Sequence, residues 1–196
     1  MKEKIFDLIK ESIKVKQKYL KDKKQISVLQ RVVSEIIDCY KKGKKLIVFG
    51  NGGSAADAQH FVAELVGRYK KERPPLKAIS LTTNTSTITA LSNDYGYVIS
   101  FSRQLQALAE KGDVVFGIST SGNAKNVIKA IEVAKELGCV TVGLTGQDGG
   151  ELKNIVDYCI KVPSNNTPRI QELHITIIHI ICDLVEQTIF KKWLFL

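Results

Sequence analysis

The sequence predicts an α/β fold: a doubly wound, five-stranded parallel sheet flanked by helices. Three observations predict it. Short continuous apolar runs recur along the chain after residue 45, the pattern of strands buried on both faces. Segments of helical periodicity separate these runs, and such alternation implies parallel pairing through right-handed crossovers. Two of the runs stop at polar, glycine-bearing loops that lead straight into helices. In an open parallel sheet, ligands bind at the carboxyl ends of the strands, where such loops lie.

The elements follow in order. Ile5, Leu8, Ile9 and Ile13 fall on one face of a first helix, with lysines and acids elsewhere. A second helix runs from about Ser27 to Lys42 on a stripe of Leu29, Val32, Val33, Ile36 and Ile37, and Gly43 ends it. These helices stand outside the alternation, as a helical N-terminal extension of about 1–42 on a single domain spanning 1–196. They are expected to pack on the sheet or on another subunit. The first strand is Leu46-Ile47-Val48-Phe49, followed by a glycine loop and a helix from Ala55 to Tyr69. Ala78 to Leu81 is a second strand, followed by a polar turn and a helix over Thr85 to Leu91. Asp113 to Ile118 is a third, and its helix carries Val127, Ile128, Ile131, Val133 and Ala134. Val140 to Leu144 and Ile155 to Ile160 complete the sheet. A closing helix starts near Thr167-Pro168, where proline suits the first turn.

Composition narrows the function classes. Of 196 residues, 44% are hydrophobic and 25% charged, which argues against disorder. The net charge is +9, and many of the lysines crowd the first helix, interleaved with acids. With only Phe6 and Tyr19 as aromatics among them, they read as a solvated face rather than a nucleic-acid site. A basic protein also attracts anionic substrates such as phosphate esters. The cysteines, Cys39, Cys139, Cys159 and Cys182, are scattered through apolar contexts. They read as free thiols in a reducing compartment, and no signal-peptide region precedes them, so a cytoplasmic protein is expected. The most apolar stretch, Ile175 to Phe190, holds His179, Asp183, Glu186 and Gln187, so a buried helix is expected and not a membrane span.

The chemistry should sit at two strand ends. One carries Gly50-Asn51-Gly52-Gly53-Ser54, the other Ser119-Thr120-Ser121-Gly122-Asn123. Glycines allow close backbone approach, and N–H groups at a helix start attract anions. Either loop alone could be an ordinary capped turn; two in one small sheet favour a phosphate ester. Neither is a dinucleotide or nucleotide fingerprint, since GxGxxG and GK[ST] are absent. The histidines are His60, His174 and His179. His60 and Glu64 lie four apart on one helix face, between Phe61, Val62, Ala63, Leu65 and Val66. A buried imidazole and carboxylate need partners or a metal. His179 lies among isoleucines, so it is either a satisfied core group or a ligand or catalyst.

The residues Phe49 to His60, with Glu64, resemble the first signature of sedoheptulose 7-phosphate isomerases, also called phosphoheptose isomerases. Ile118 to Asn123 is similar to the phosphate loop of the wider SIS (sugar isomerase) family. Arg169-Ile170-Gln171-Glu172, with His174 and His179, resembles the closing-helix motif, and Asn93-Asp94-Tyr95-Gly96 a further active-site segment. The likeness runs over nearly the whole chain, short of the tail Lys191 to Leu196. It implies an SIS fold and a reversible aldose–ketose isomerisation. Sedoheptulose 7-phosphate would become D-glycero-D-manno-heptose 7-phosphate, the entry to activated heptoses for lipopolysaccharide, capsule or other surface glycans. It implies one zinc per subunit on His60, Glu64, Gln171 and His179. The sugar phosphate would lie on Ser119, Thr120 and Ser121, with Asn51, Gly52, Gly53, Ser54, Glu64, Asn93, Asp94 and Gln171 as further substrate contacts. It also implies a homotetramer with active sites between subunits. Two positions depart from the pattern: Ala124 stands where many members have serine, and Pro168 where some have aspartate.

Such an isomerisation needs a base beside the carbonyl and stabilisation of the enediol. Glu64 and His179 are the expected catalytic pair, although a carboxylate held tightly on zinc is a poorer base. Gln171 and His179 are eight residues apart, so on a regular helix their backbones stand about 12 Å apart along the axis. One zinc then takes both only if they come from two copies of the helix, or if Gln171 precedes the first regular turn. The alternative function is non-enzymatic, a sugar-phosphate sensor or a partner of a replication initiator. The relative that binds such an initiator lacks the histidine matching His179, and this chain has it.

Overall fold

The computed structural model describes residues 1–191; the rest of the Lys191–Leu196 tail lies outside the described residues. A five-stranded sheet forms the centre, in the order β2-β1-β3-β4-β5. Its strands are β1 (Leu46–Gly50), β2 (Ala78–Ser80), β3 (Val114–Ser119), β4 (Val140–Thr145) and β5 (Tyr158–Lys161), and every neighbouring pair is parallel. The expected doubly wound α/β fold is the one observed. The order reverses between β1 and β3, which is where a crevice opens at the carboxyl edge. Gly50 pairs with Ile118 there, so the two unusual loops leave the sheet side by side.

Alternation along the strands builds a core on each face. Leu46, Val48, Val114, Phe116 and Ile118 point to the face covered by α1 (Lys2–Lys21), α2 (Lys23–Lys41), α3 (Gly53–Val66) and α8 (Thr167–Ile189). Ile47, Phe49 and Val115 point to the face covered by α5 (Ser102–Leu108) and α6 (Lys125–Glu136). The Phe61 ring of α3 meets Phe116 of β3 edge-on, centroids 5.4 Å apart. Burying a ring this size stabilises by roughly 1.5–3 kcal/mol. It leaves His60 and Glu64 on the flank of α3 that meets α8.

The boundaries differ from the sequence reading at identifiable places. The helix α4 (Thr85–Tyr95) runs one turn past Leu91, capped at its start by the Asn84 side chain, which accepts from the Thr87 N–H at 3.0 Å. The fifth strand starts at Tyr158 instead of Ile155. Residues Leu152–Ile155 coil into a short helix, α7, and Asp157 spends its carboxylate on the Thr141 N–H and hydroxyl at 2.8 and 2.7 Å. The helix α3 stops at Val66, with Gly67 as its C-cap. Of the two N-terminal helices, α2 buries Leu29, Val32, Val33, Ile36 and Ile37 against the sheet and α8, whereas on α1 Ile5, Leu8, Ile9 and Ile13 remain about half exposed.

Candidate active site

The crevice is built first by the loop after β1. Gly52 has φ +56°, a left-handed conformation at the N-cap of α3 that favours glycine. A Cβ on Gly53 would overlap the side-chain amide of Gln171, so the start of α3 and the start of α8 pack tightly there. Ser54 is buried and its N–H donates to the Asn51 carbonyl at 3.0 Å. The Asn51 side chain is fully engaged. It exchanges two 2.9 Å hydrogen bonds with the Asn126 amide, and the Tyr97 hydroxyl donates to its Oδ1 at 2.8 Å.

The loop after β3 lies alongside. Gly122 has φ +69°, and a side chain there would strike the backbone of Gly149. The Asn123 side chain accepts from the Glu151 N–H at 2.9 Å, and the Thr120 carbonyl accepts from Gly146 at 2.9 Å. These bonds tie the loop to residues 146–151 after β4. Thr120, Ser121, Asn123, Gln147 and Thr167 then line a cavity of about 280 Å³, with Asp148 at its wall. Hydroxyls and the N-terminus of α6 offer donors to an anion there. Ser119 is buried at the end of β3. Asn93 and Asp94 lie on the last turn of α4, exposed, with the Asn93 amide donating to Asp94 at 2.9 Å.

The third part joins two helices. His60 and Glu64 project from α3 toward His179 on α8. The Nε2 atoms of the two imidazoles stand 2.9 Å apart, and Glu64 Oε1 is 3.2 Å from His60 Nε2. One donor atom from each of the three residues lies within 4.8 Å of the others. Two imidazole nitrogens meeting a carboxylate oxygen form a mixed N and O set, the ligand chemistry that suits zinc. A cation between them satisfies both nitrogen lone pairs at once; without one, a single proton must serve the pair. The Tyr69 ring lies 5.9 Å from that of His179. Gln171 is not part of this convergence within one chain. It sits in the regular part of α8, beside Gly53 and about 12 Å before His179 along the axis.

Three polar residues here were given no role by the sequence reading, and a fourth, His174, only a place in the closing-helix motif. Asn126 and Tyr97 hold Asn51, and neither carries a local pattern that marks it. Asp57, one turn before His60, has its Oδ2 buried without a partner among the described residues, and burial raises its carboxyl to about 6. His174 is fully buried, and its Nε2–H donates to the Thr145 carbonyl at 3.2 Å. That geometry fixes a neutral tautomer, and burial lowers its pKa to about 4.

Residues 10–146 match the SIS domain family. A phosphoheptose isomerase of Citrifermentans bemidjiense is 61% identical over 164 residues, 84% of this chain and 85% of that one. One from Aneurinibacillus thermoaerophilus is 53% identical over 184 residues, covering 94% and 93%. The chain belongs to the phosphoheptose isomerases of the SIS family. The solved phosphoheptose isomerase of Neisseria gonorrhoeae agrees in fold, with a TM-score of 0.89 at 41% identity over 95% of this chain and 98% of that one. The chain is accordingly an isomerase, and the non-enzymatic alternative is not favoured. Among the described residues no helix is long and apolar enough to cross a membrane.

Proposed function

We propose that this phosphoheptose isomerase interconverts sedoheptulose 7-phosphate and D-glycero-D-manno-heptose 7-phosphate in the cytoplasm, with one zinc per subunit. The convergence of His60, Glu64 and His179 beside the switch-point loops carries the reading. Ser119, Thr120 and Ser121 hold the phosphate with their hydroxyls and the N-terminal amides of α6. Asn51, Gly52, Gly53 and Ser54 shape the floor for the sugar, and Asn93 and Asp94 face it from α4. His60, Glu64 and His179 would hold the metal, which would supply a Lewis acid for the carbonyl and hydroxyl oxygens.

Glu64 removes the proton from the carbon next to the carbonyl and returns it to the neighbouring carbon. His179 stands across the cluster; with its Nε2 on the metal side, Nδ1 is the atom left to exchange protons with the substrate oxygens. Glu64 keeps part of its carboxylate open to solvent, so it has room to serve as base as well as ligand. Gln171 would reach the metal of an adjacent copy, because its own His179 lies two turns further along α8. The uncovered stripe of α1 supports a homotetramer built around such contacts.

The test is a coupled assay for heptose 7-phosphate formation on metal-stripped protein, with zinc then restored. Loss and recovery of activity are expected. Full activity in protein verified as metal-free would sink the zinc assignment, and no turnover of the heptose phosphate in zinc-loaded protein would sink the reaction.

A further inference from the structure

The segment between α3 and β2 holds a buried ion pair that the reaction as derived does not use. The Arg73 and Glu186 side chains are 0% and 2% exposed, and Arg73 Nε lies 3.0 Å from Glu186 Oε2. Every nitrogen and oxygen of the two charged groups has a partner. Glu186 also accepts from the N–H groups of Tyr69, Lys70 and Lys71 at 3.1, 2.9 and 2.8 Å. Arg73 donates Nη2 to the Glu64 carbonyl at 2.8 Å and Nη1 to the Leu65 carbonyl at 2.8 Å, with Gly67 and Pro74 carbonyls at 3.2 and 3.1 Å. The last carbonyls of a helix have no intrahelical partner, and in α3 this guanidinium takes those of Glu64 and Leu65.

The partners lie along one face of α8. His179, Asp183 and Glu186 follow at i, i+4 and i+7. Residues 69–73 run beside them: the Tyr69 ring against His179, Lys70 Nζ 2.9 Å from Asp183, and Arg73 on Glu186. One end of the ion pair thus grips the backbone of Glu64, and the other grips α8 two turns past His179. A buried ion pair is a poor device for stability alone, because a well-packed apolar pair usually does as well. What it adds is a fixed geometry between the elements it joins.

We propose that Arg73 and Glu186 are positioning residues of the active site: together they set the separation of Glu64 on α3 from His179 on α8. The inference rests on the metal-dependent isomerase reading above. Moving α3 against α8 by a fraction of an ångström would pull the cluster off the geometry a tetrahedral ion requires, while the phosphate loop, on β3, stays in place.

Arg73→Lys and Glu186→Gln in the full-length oligomer test this. Arg73→Lys keeps the charge and loses the bonds to the α3 carbonyls; Glu186→Gln keeps the size and presents an N–H₂ group to backbone N–H donors. Zinc affinity is measured by competition with a chromophoric chelator, kcat and KM by the coupled assay, and folding by near-ultraviolet circular dichroism and Tm. In folded variants the zinc Kd should rise and kcat at saturating zinc should fall, each at least tenfold, with KM for the sugar phosphate within threefold. Kd and kcat within twofold of the parent, whatever the Tm, would overturn the inference. Should neither variant fold, hydrogen exchange on the unmodified protein decides. Coupling is reciprocal, so zinc should slow the Tyr69, Lys70 and Lys71 amides at least tenfold, and more than any α6 amide. Equal slowing in both segments would overturn it. An unmodified protein that neither binds zinc nor isomerises sinks the underlying reading, and this inference falls with it. An active, zinc-binding parent with unaltered variants sinks this inference alone.

Discussion

Two histidines five residues apart on α8 have opposite fates, set by what each meets. His179 faces His60 and Glu64 across the helix boundary; His174 points into the core toward the end of β4. In the sequence the two looked alike, because both lie among isoleucines and leucines and the deciding partners come from elsewhere in the chain. The buried His174 should make the protein acid-sensitive. Its folded pKa, about 4, is depressed below the ordinary 6.5 by burial. As pH falls from 6.5 toward 4 the unfolded chain takes up a proton that the fold refuses, so the stability present above 6.5 is lost through that window. The loss amounts to about 3 kcal/mol. We predict that His174→Leu flattens the fall of Tm between pH 6.5 and 4; a slope like that of the parent would show that other groups carry it. The catalytic side chains are tested by a different split. Ser119→Ala with Ser121→Ala should raise KM strongly, since hydrogen bonds to a charged group are worth about 1.5–3 kcal/mol each. Glu64→Gln should lower kcat by orders of magnitude with Tm nearly unchanged. Steady-state kinetics on both would contradict the assignment if KM and kcat moved the other way round.

Among the elements, those with their own periodicity were legible and those held by distant partners were not. The strands and α2, α3, α6 and α8 show apolar runs or stripes that local sequence carries. The short helices α5 and α7, and residues 67–75, do not; the last of these is held by Arg73 and Glu186, 113 residues apart. Helix ends also differ in how they are capped. The N-cap of α6 is Ala124, which offers no side-chain bond, whereas Asn84 caps α4 with one. A serine at 124 should restore a cap worth about 1 kcal/mol and so raise Tm by roughly 2–4 °C for a chain of this size. Because the same helix start lies next to Asn123 of the cavity proposed for the phosphate, Ala124→Ser should also lower KM for the sugar phosphate severalfold. Calorimetry and the coupled assay separate the two effects. A higher Tm with KM unchanged would confine position 124 to capping, and no change in Tm would refute the cap itself.

At the scale of the whole molecule, the site as one chain builds it is missing the fourth ligand that the sequence led one to expect. His60, Glu64 and His179 converge within a single chain. Gln171 does not join them, because α8 is regular from Thr167 onward and carries Gln171 about 12 Å away along its axis. Helical side chains lean the same way, so the two cannot close that distance by bending toward each other. A second copy can bring its own Gln171, and the half-exposed isoleucines and leucine of α1, with Ile180 and Leu184 on α8, form an apolar surface for it to cover. The prediction is a pattern of complementation. Glu64→Gln and Gln171→Ala, each inactive alone, should regain activity when dissociated and reassociated together, because a site between two copies can then draw Glu64 from one and Gln171 from the other. Random pairing across a two-fold interface restores about a quarter of the sites. Glu64→Gln mixed with His179→Ala should restore none, since both residues of each site come from one chain. Mixed oligomers verified by mass spectrometry make either failure informative. Silence in the first mixture would place Gln171 in its own chain's site, against Gly53, as a substrate contact only. Recovery in the second would mean that the cluster seen within one chain is not the one that works.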